Sequence, residues 1–344
     1  MDPNLSIPLE VSAMMDHEKD DTASFALRIF SMVLMAITFV LGIVGNGLVI
    51  WVLGFRMHRT VTTVCYQNLA LADFSLSATM PFIIASMATR GKWPCDLYLC
   101  KIIYIVIYFN IFSSVFLIMF IALDRYICIV HPVWAQNHRT VKLATKMILG
   151  PWILAFILTV PIIISFNTAK KNLNECYKCF LSFALFEAKT HEELKLYFGD
   201  LIVRGSIWLI LGFILPMFIV PICYCLIAAK ISQTNAIRSN RSLWLLTTIV
   251  ASIFICWFPF QLVELLRMIW ITQHLNPRSC ETLKLLVLLT SALAFFNSCL
   301  NPIIYVFMGR DFRQSLIHSL PASLEKALSE DPGPNPESST KPDL

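Results

Sequence analysis

The chain has 344 residues, 57% of them hydrophobic and only 14% charged, with a formal net charge of +5 and a mean hydropathy of +0.69. A soluble domain runs near about 45–50% apolar and about 25% charged, so this balance excludes an ordinary soluble enzyme. The positive excess follows from loop charges described below and needs no nucleic-acid partner.

Seven apolar runs follow in chain order: 29–53, 64–87, 102–123, 147–166, 205–229, 243–263 and 285–308. Each is long enough for a helix across a hydrocarbon core of about 30 Å. Six contain no Asp, Glu, Lys or Arg, and the second contains only Asp73. Continuous apolar blocks, rather than alternation, exclude a β-barrel. The expected fold is an all-α bundle of seven transmembrane helices over 29–308, preceded by an extracellular N-terminus, 1–28. Residues 1–24 lack the basic-then-apolar pattern of a cleaved signal peptide, so the first span serves as its own insertion signal.

Orientation comes from the connecting loops. Arg56 and Arg59, then Arg125, Arg139, Lys142 and Lys146, then Lys230, Arg238 and Arg241 flank alternate spans, with Asp124 the one acid among them. Lys and Arg gather on the cytoplasmic side. Six acids against Lys19 in the first 24 residues place the N-terminus outside. After the seventh span, Phe307, Phe312 and Leu316 with Arg310 and Arg313 between them predict an amphipathic eighth helix over 309–328, lying on the inner leaflet lipid. Residues 329–344 are Pro-rich and acidic, the composition of a disordered tail. No internal repeat is visible, which disfavours a transporter.

Within the spans, a lone intramembrane carboxylate is costly and faces the bundle interior. Asp73 shares mid-span depth with Asn46, Asn110, Ser114, Asn297, Ser298 and Asn301. Several oxygens around one carboxylate are what a hard cation such as Na⁺ requires; a protonated Asp73 in an interhelical hydrogen bond is the plainer alternative. Asp124-Arg125-Tyr126 closes the third span on the cytoplasmic side, where a carboxylate beside a guanidinium can hold and release it. Pro81, Pro161, Pro216, Pro259 and Pro302 sit inside spans, and Pro removes a helix hydrogen bond. Cys256-Trp257-Phe258-Pro259 and Asn301-Pro302-Ile303-Ile304-Tyr305 are the distinctive combinations.

Together GIVGN at 42–46, NLALAD at 68–73, DRY at 124–126, Trp152, Pro216 with Tyr224, CWFP and NPIIY resemble the rhodopsin-like (class A) G protein-coupled receptors in all seven spans. GNGLVIWVLGFRM, HPVWAQNHRTV, TSALAFFNSCLNP and YVFMGRDFR further resemble the formyl peptide receptors, most like a rodent paralogue. The resemblance implies a multi-pass plasma-membrane receptor that senses an extracellular peptide or small-molecule cue and activates a heterotrimeric, inhibitory-class G protein. It implies that Arg125, Tyr224 and Tyr305 act as switches, that Trp257 above Pro259 senses ligand, and that Asp73, Asn46, Ser114, Asn297 and Asn301 form a sodium site. It implies a disulfide from Cys100 to the second outside loop, with Cys179 favoured over Cys176.

The outer pocket departs from the family pattern. Formyl peptide receptors resemble one another in an acid two turns into span three and a pair of arginines in span five. Here Tyr108 replaces the acid, Arg204 is kept, Trp208 stands at the second arginine, and Leu288 replaces an Asp near the head of span seven. Glu264 and Arg267 lie about one turn apart in span six, with Glu264 free to pair with Arg204 or with a ligand terminus. A pocket that lacks a substrate's polar partners rejects that substrate, so a re-specified ligand is expected. Ile107 and Phe295 at the positions of the amine counter-ion and the retinal lysine exclude those ligand classes.

Asn4-Leu5-Ser6 is a glycosylation sequon on the outer side. Ser315, Ser319, Ser323, Ser329, Ser338, Ser339 and Thr340 offer phosphate sites for a receptor kinase and then arrestin. No catalytic constellation or phosphate-binding loop is present, and neither an enzyme nor a cofactor is expected beyond the structural sodium.

Overall fold

A computed structural model describes residues 9–89, 97–168, 203, 205–234, 240–273, 277–308 and 312–317, and these are helices and short turns with no strand among them. Asn4, Cys176, Cys179, Arg204 and the 329–344 tail lie outside the described residues, as does the side chain of Cys100. Ten α-helices run through them: α1 (Leu9–Trp51), α2 (Val61–Ala78), α3 (Met80–Ala88), α4 (Leu97–Val130), α5 (Pro132–His138), α6 (Val141–Met147), α7 (Leu149–Thr168), α8 (Leu215–Thr234), α9 (Asn240–Gln273) and α10 (Pro277–Met308). Seven stretches are long and apolar enough to cross a membrane, in the seven places the sequence predicts.

Several boundaries differ from the sequence expectation. The first helix starts at Leu9, well before residue 29. The second span is two helices, α2 and α3, which meet at Thr79. Pro81 lies at the start of α3, where its missing N–H is harmless. The third helix continues to Val130, so Asp124-Arg125-Tyr126 lies inside it rather than at its end. Nothing in that stretch breaks a helix before His131-Pro132. Of the predicted eighth helix, residues 312–317 are described as helical. Phe312 is buried there and meets the Tyr305 ring at 6.4 Å.

The core sits between the third, seventh and second spans. α4 packs against α2, α7 and α8, while α10 packs against α1 and α9. Close approach is set by small residues. A Cβ on Gly42 would stand 2.1 Å from Ser77 Oγ, and one on Gly45 would stand 2.9 Å from Pro302 Cβ. The outer faces are apolar: Phe55, Phe218 and Ile255 are all largely exposed. In a soluble protein such a perimeter would aggregate; in a bilayer it is the lipid-facing surface.

Candidate functional site

Three groups of side chains occupy the outer half, the middle and the cytoplasmic end of the bundle. The outer group starts from α4, where Tyr104, Tyr108 and Phe112 repeat every four residues on one face. Across from them the span-five segment carries Trp208. Its indole meets the Tyr108 ring edge-on at 5.0 Å and the Phe112 ring at 5.3 Å. Gly212, one turn on, leaves room for Phe112, whose ring edge would be 3.2 Å from an added Cβ. Trp208 Nε1 is buried and has no hydrogen-bond partner among the described residues. Glu264 accepts hydrogen bonds from Arg267 Nε and Nη2 within the same helix. Among the described residues the partner of Glu264 is Arg267, one turn away. Leu288 is partly buried against the main core.

Trp257 is 6% exposed and lies T-shaped against Phe260 at 6.2 Å. An apolar cavity lined by Val115, Gly212, Pro216, Ile253 and Trp257 separates spans three, five and six at this depth. Pro216 shapes that wall. It has no N–H to give to Gly212, and the preceding turn, Ile210–Ile214, is a π-helix in which Leu215 N–H reaches Ile210 O.

The middle group forms around Asp73, which is 1% exposed. Ser114 Oγ donates to its Oδ1 at 2.9 Å and Asn301 Nδ2 to its Oδ2 at 2.7 Å, so one carboxylate joins spans two, three and seven. Asn46 Nδ2 donates to Gly42 O and Ser298 O, both at 3.0 Å, which ties span one to span seven. The amide oxygens of Asn46, Asn297 and Asn301 are buried without a hydrogen-bond partner among the described residues. Asn110 does not join this group. Its Oδ1 accepts from Ser75 Oγ at 2.7 Å, and its Nδ2 donates to Val106 O. Among the described residues no three His, Cys, Asp or Glu side chains gather as a metal centre.

The cytoplasmic group depends on caps. Thr60 and Thr63 close a reciprocal capping box at the start of α2, Thr60 N donating to Thr63 Oγ1 at 2.8 Å. This places Thr62 in the first turn, beside the third span. Arg125 Nη2 donates to Thr62 Oγ1. Asp124 is held by Arg139, whose Nε and Nη2 donate to Oδ1 and Oδ2 at 2.8 Å each. Arg125 Nε stands 4.0 Å from the same carboxylate. The expected Asp124–Arg125 pair is therefore the weaker contact, because the loop brings a second guanidinium back to the carboxylate. The Asp124 carboxylate raises the Arg139 pKa further. Tyr126 meets the His131 ring edge-on at 5.8 Å. Tyr305 packs on Tyr66 at 4.7 Å with its hydroxyl buried and without a hydrogen-bond partner among the described residues, while Tyr224 packs beside Ala122, Val220 and Cys223. The sequence reading missed Thr62, Tyr66 and the Asp124 role of Arg139. Only the threonine pattern of the α2 cap was a signal for the first.

A family profile described as 7 transmembrane receptor (rhodopsin family) matches residues 45–305. The chain is 55% identical over 334 residues to human N-formyl peptide receptor 2, covering 97% of this chain and 94% of that one. It is 53% identical over 340 residues to formyl peptide receptor 2 of Mus musculus, covering 99% and 96%. It is 51% identical over 333 residues to formyl peptide receptor-related sequence 1 of Mus musculus, covering 97% and 94%. With seven apolar helices carrying these sites in this order, the chain belongs to the rhodopsin-like G protein-coupled receptors and, within them, to the formyl peptide receptor family, as a multi-pass receptor of the plasma membrane and not an enzyme.

Proposed function

We propose that this receptor detects an extracellular peptide or related chemical cue through a pocket re-specified away from formylated peptides, and activates an inhibitory-class G protein. The observation that carries the reading is the contact of Tyr108 with Trp208 at 5.0 Å. This ring contact supports an aromatic wall at the positions where the family pattern carries an acid and a pair of arginines. Such a wall offers ring faces and edges rather than a clamp for a formyl-methionyl amide. The outer binding set is Tyr108, Arg204, Trp208, Glu264 and Arg267, with Trp257 at its floor. Arg125, Tyr224 and Tyr305 would open the cytoplasmic side when ligand biases a bistable bundle. Its output would be chemosensory or chemoattractant signalling, with receptor kinase and arrestin acting on the tail and Asn4 glycosylated outside.

A sodium ion fits the middle group. Asp73 would supply one carboxylate, and the amide oxygens of Asn46, Asn297 and Asn301, which have no hydrogen-bond partner among the described residues, would supply neutral ligands. The chain's own residues do the rest: Ser114 and Asn301 orient the carboxylate and tie three spans together.

The alternative reading, an ordinary formyl peptide chemoattractant receptor, is favoured by the 55% identity to N-formyl peptide receptor 2. G protein nucleotide exchange separates the two at matched surface expression. A formylated tripeptide and its unformylated twin are titrated on wild type and on a Tyr108→Asp, Trp208→Arg double variant. A formyl-dependent response in the variant alone is expected, with a potency difference of at least about tenfold between the formylated and unformylated peptides, well within what lost polar partners can impose. A potent formyl-dependent response of the wild type would establish the alternative.

A further inference from the structure

The second cytoplasmic loop returns a cation to the third span. Arg139 lies fifteen residues beyond Asp124, after the turn at His131 and the short α5, and immediately before Thr140, which caps α6. Its guanidinium meets the Asp124 carboxylate fork to fork, with two bonds of 2.8 Å. The two side chains are 24% and 11% exposed, so water screens the pair only in part. Arg125 is the immediate neighbour of Asp124, yet its Nε stands 4.0 Å away and is buried without a hydrogen-bond partner among the described residues. Its Nη2 goes to the neutral hydroxyl of Thr62 instead, and Arg139 Nη2 also reaches that hydroxyl, at 3.3 Å. Two guanidinium groups thus compete for one carboxylate and one hydroxyl. The loop arginine takes the carboxylate.

We infer that Arg139 is a positioning residue for Arg125: by taking both oxygens of Asp124 in short bonds it leaves Arg125 only the long 4.0 Å contact with its own neighbour and a hydrogen bond to Thr62, from which a cytoplasmic partner can draw it. The inference rests on the reading above that Arg125 serves G protein activation. Its physical basis is the difference between the two acceptors. A bond to a carboxylate is about twice as strong as one to a neutral group. Arg125 held by Asp124 would therefore be harder to release than Arg125 held by a hydroxyl. Lysine at 139 could make only a point contact and would compete less well.

The test uses the full-length receptor in lipid nanodiscs, with Arg139→Ala and Arg139→Lys made both alone and with Asp124→Asn. The first readout is receptor-catalysed nucleotide exchange on an inhibitory-class G protein. Arg139→Ala should lower the exchange rate about fivefold or more, the lower end for coupled sites. Arg139→Lys should fall between, and Arg139→Ala should have no further effect once Asp124 is Asn. An equal loss in both backgrounds would overturn the inference, because Arg139 would then touch the partner directly. A rise in exchange would also overturn it, by showing the pair to be a restraint.

The second readout needs no G protein. Melting of the Asp124→Asn, Arg125→Ala double-mutant cycle is measured with Arg139 present and with Arg139→Ala. Coupling between Asp124 and Arg125 should be small in the first case and clearly larger in the second. An unchanged coupling would overturn the inference. A wild type that melts as expected but drives no exchange would instead defeat the coupling reading while this cycle still judges the competition.

Discussion

Asp73 holds three spans through two short hydrogen bonds, Ser114 Oγ at 2.9 Å and Asn301 Nδ2 at 2.7 Å. Its isolation among apolar residues made it legible at once, because no other carboxylate lies at that depth. Its partners were legible only in part. Asn110 and Asn301 are the same residue type at similar depth, but helix rotation turns Asn110 toward Ser75 and Asn301 toward Asp73. If Asp73 and the buried amide oxygens hold sodium, sodium must stabilise the folded receptor by mass action. A concentration ten times the dissociation constant contributes about 1.4 kcal/mol. Thermal unfolding in sodium chloride should therefore lie above that in an organic-cation salt of equal ionic strength. Asp73→Asn should keep the fold and remove the difference; a difference that survives the substitution would put the ion elsewhere.

The prolines act on whole helices rather than at points. Pro302 lies inside α10 and Pro259 inside α9, as the sequence led one to expect. Pro81 and Pro216 behave differently. Pro81 starts a new helix after Thr79, and Pro216 follows a π turn whose Leu215 N–H bonds to Ile210 O. The widened turn sets how the segment before it is rotated, and Trp208 is in that segment. Restoring an N–H with Pro216→Ala should let Gly212 O find its usual partner and narrow the turn. One residue of an α-helix is about 100° of rotation, enough to take Trp208 away from Tyr108 and Phe112. The aromatic pair is worth about 0.5–1.5 kcal/mol. We expect Pro216→Ala to shift the emission of Trp208, read as the difference from a Trp208→Phe background, and to weaken the agonist response about three- to tenfold. Unchanged emission would show that the turn does not depend on the proline.

Across the bundle, the outer aromatic wall, the Asp73 group and the cytoplasmic arginines lie on the same few helices. α4 alone carries Tyr108, Phe112, Ser114, Asp124 and Arg125. A ligand and a G protein that prefer the same packing of these helices must favour each other's binding by the same factor, typically about 5–150-fold. Binding of a labelled agonist to the reconstituted receptor should tighten by such a factor when nucleotide-free G protein is added, and relax when a GTP analogue is supplied. Affinity indifferent to the G protein would mean that the two ends are uncoupled. The apolar perimeter, with Phe55 at 79% and Phe218 at 66% exposed, makes a lipid or detergent surround a condition of every such measurement.

The seven spans were readable from composition and order, and the family from the motifs that the spans carry. Hydrophobic length and loop charge are additive along the chain, and a bilayer converts them directly into topology. The lone charge at Asp73 and the motifs at 124–126 and 301–305 were readable for the same reason, since each is unusual in its local setting. Tertiary packing decided the pairings. Which guanidinium holds Asp124 and which amide reaches Asp73 depend on helix rotation and on loops that bring distant residues within 3 Å. A hydrogen bond forms or fails within a few tenths of an ångström, and spacing in sequence does not specify position across helices so closely.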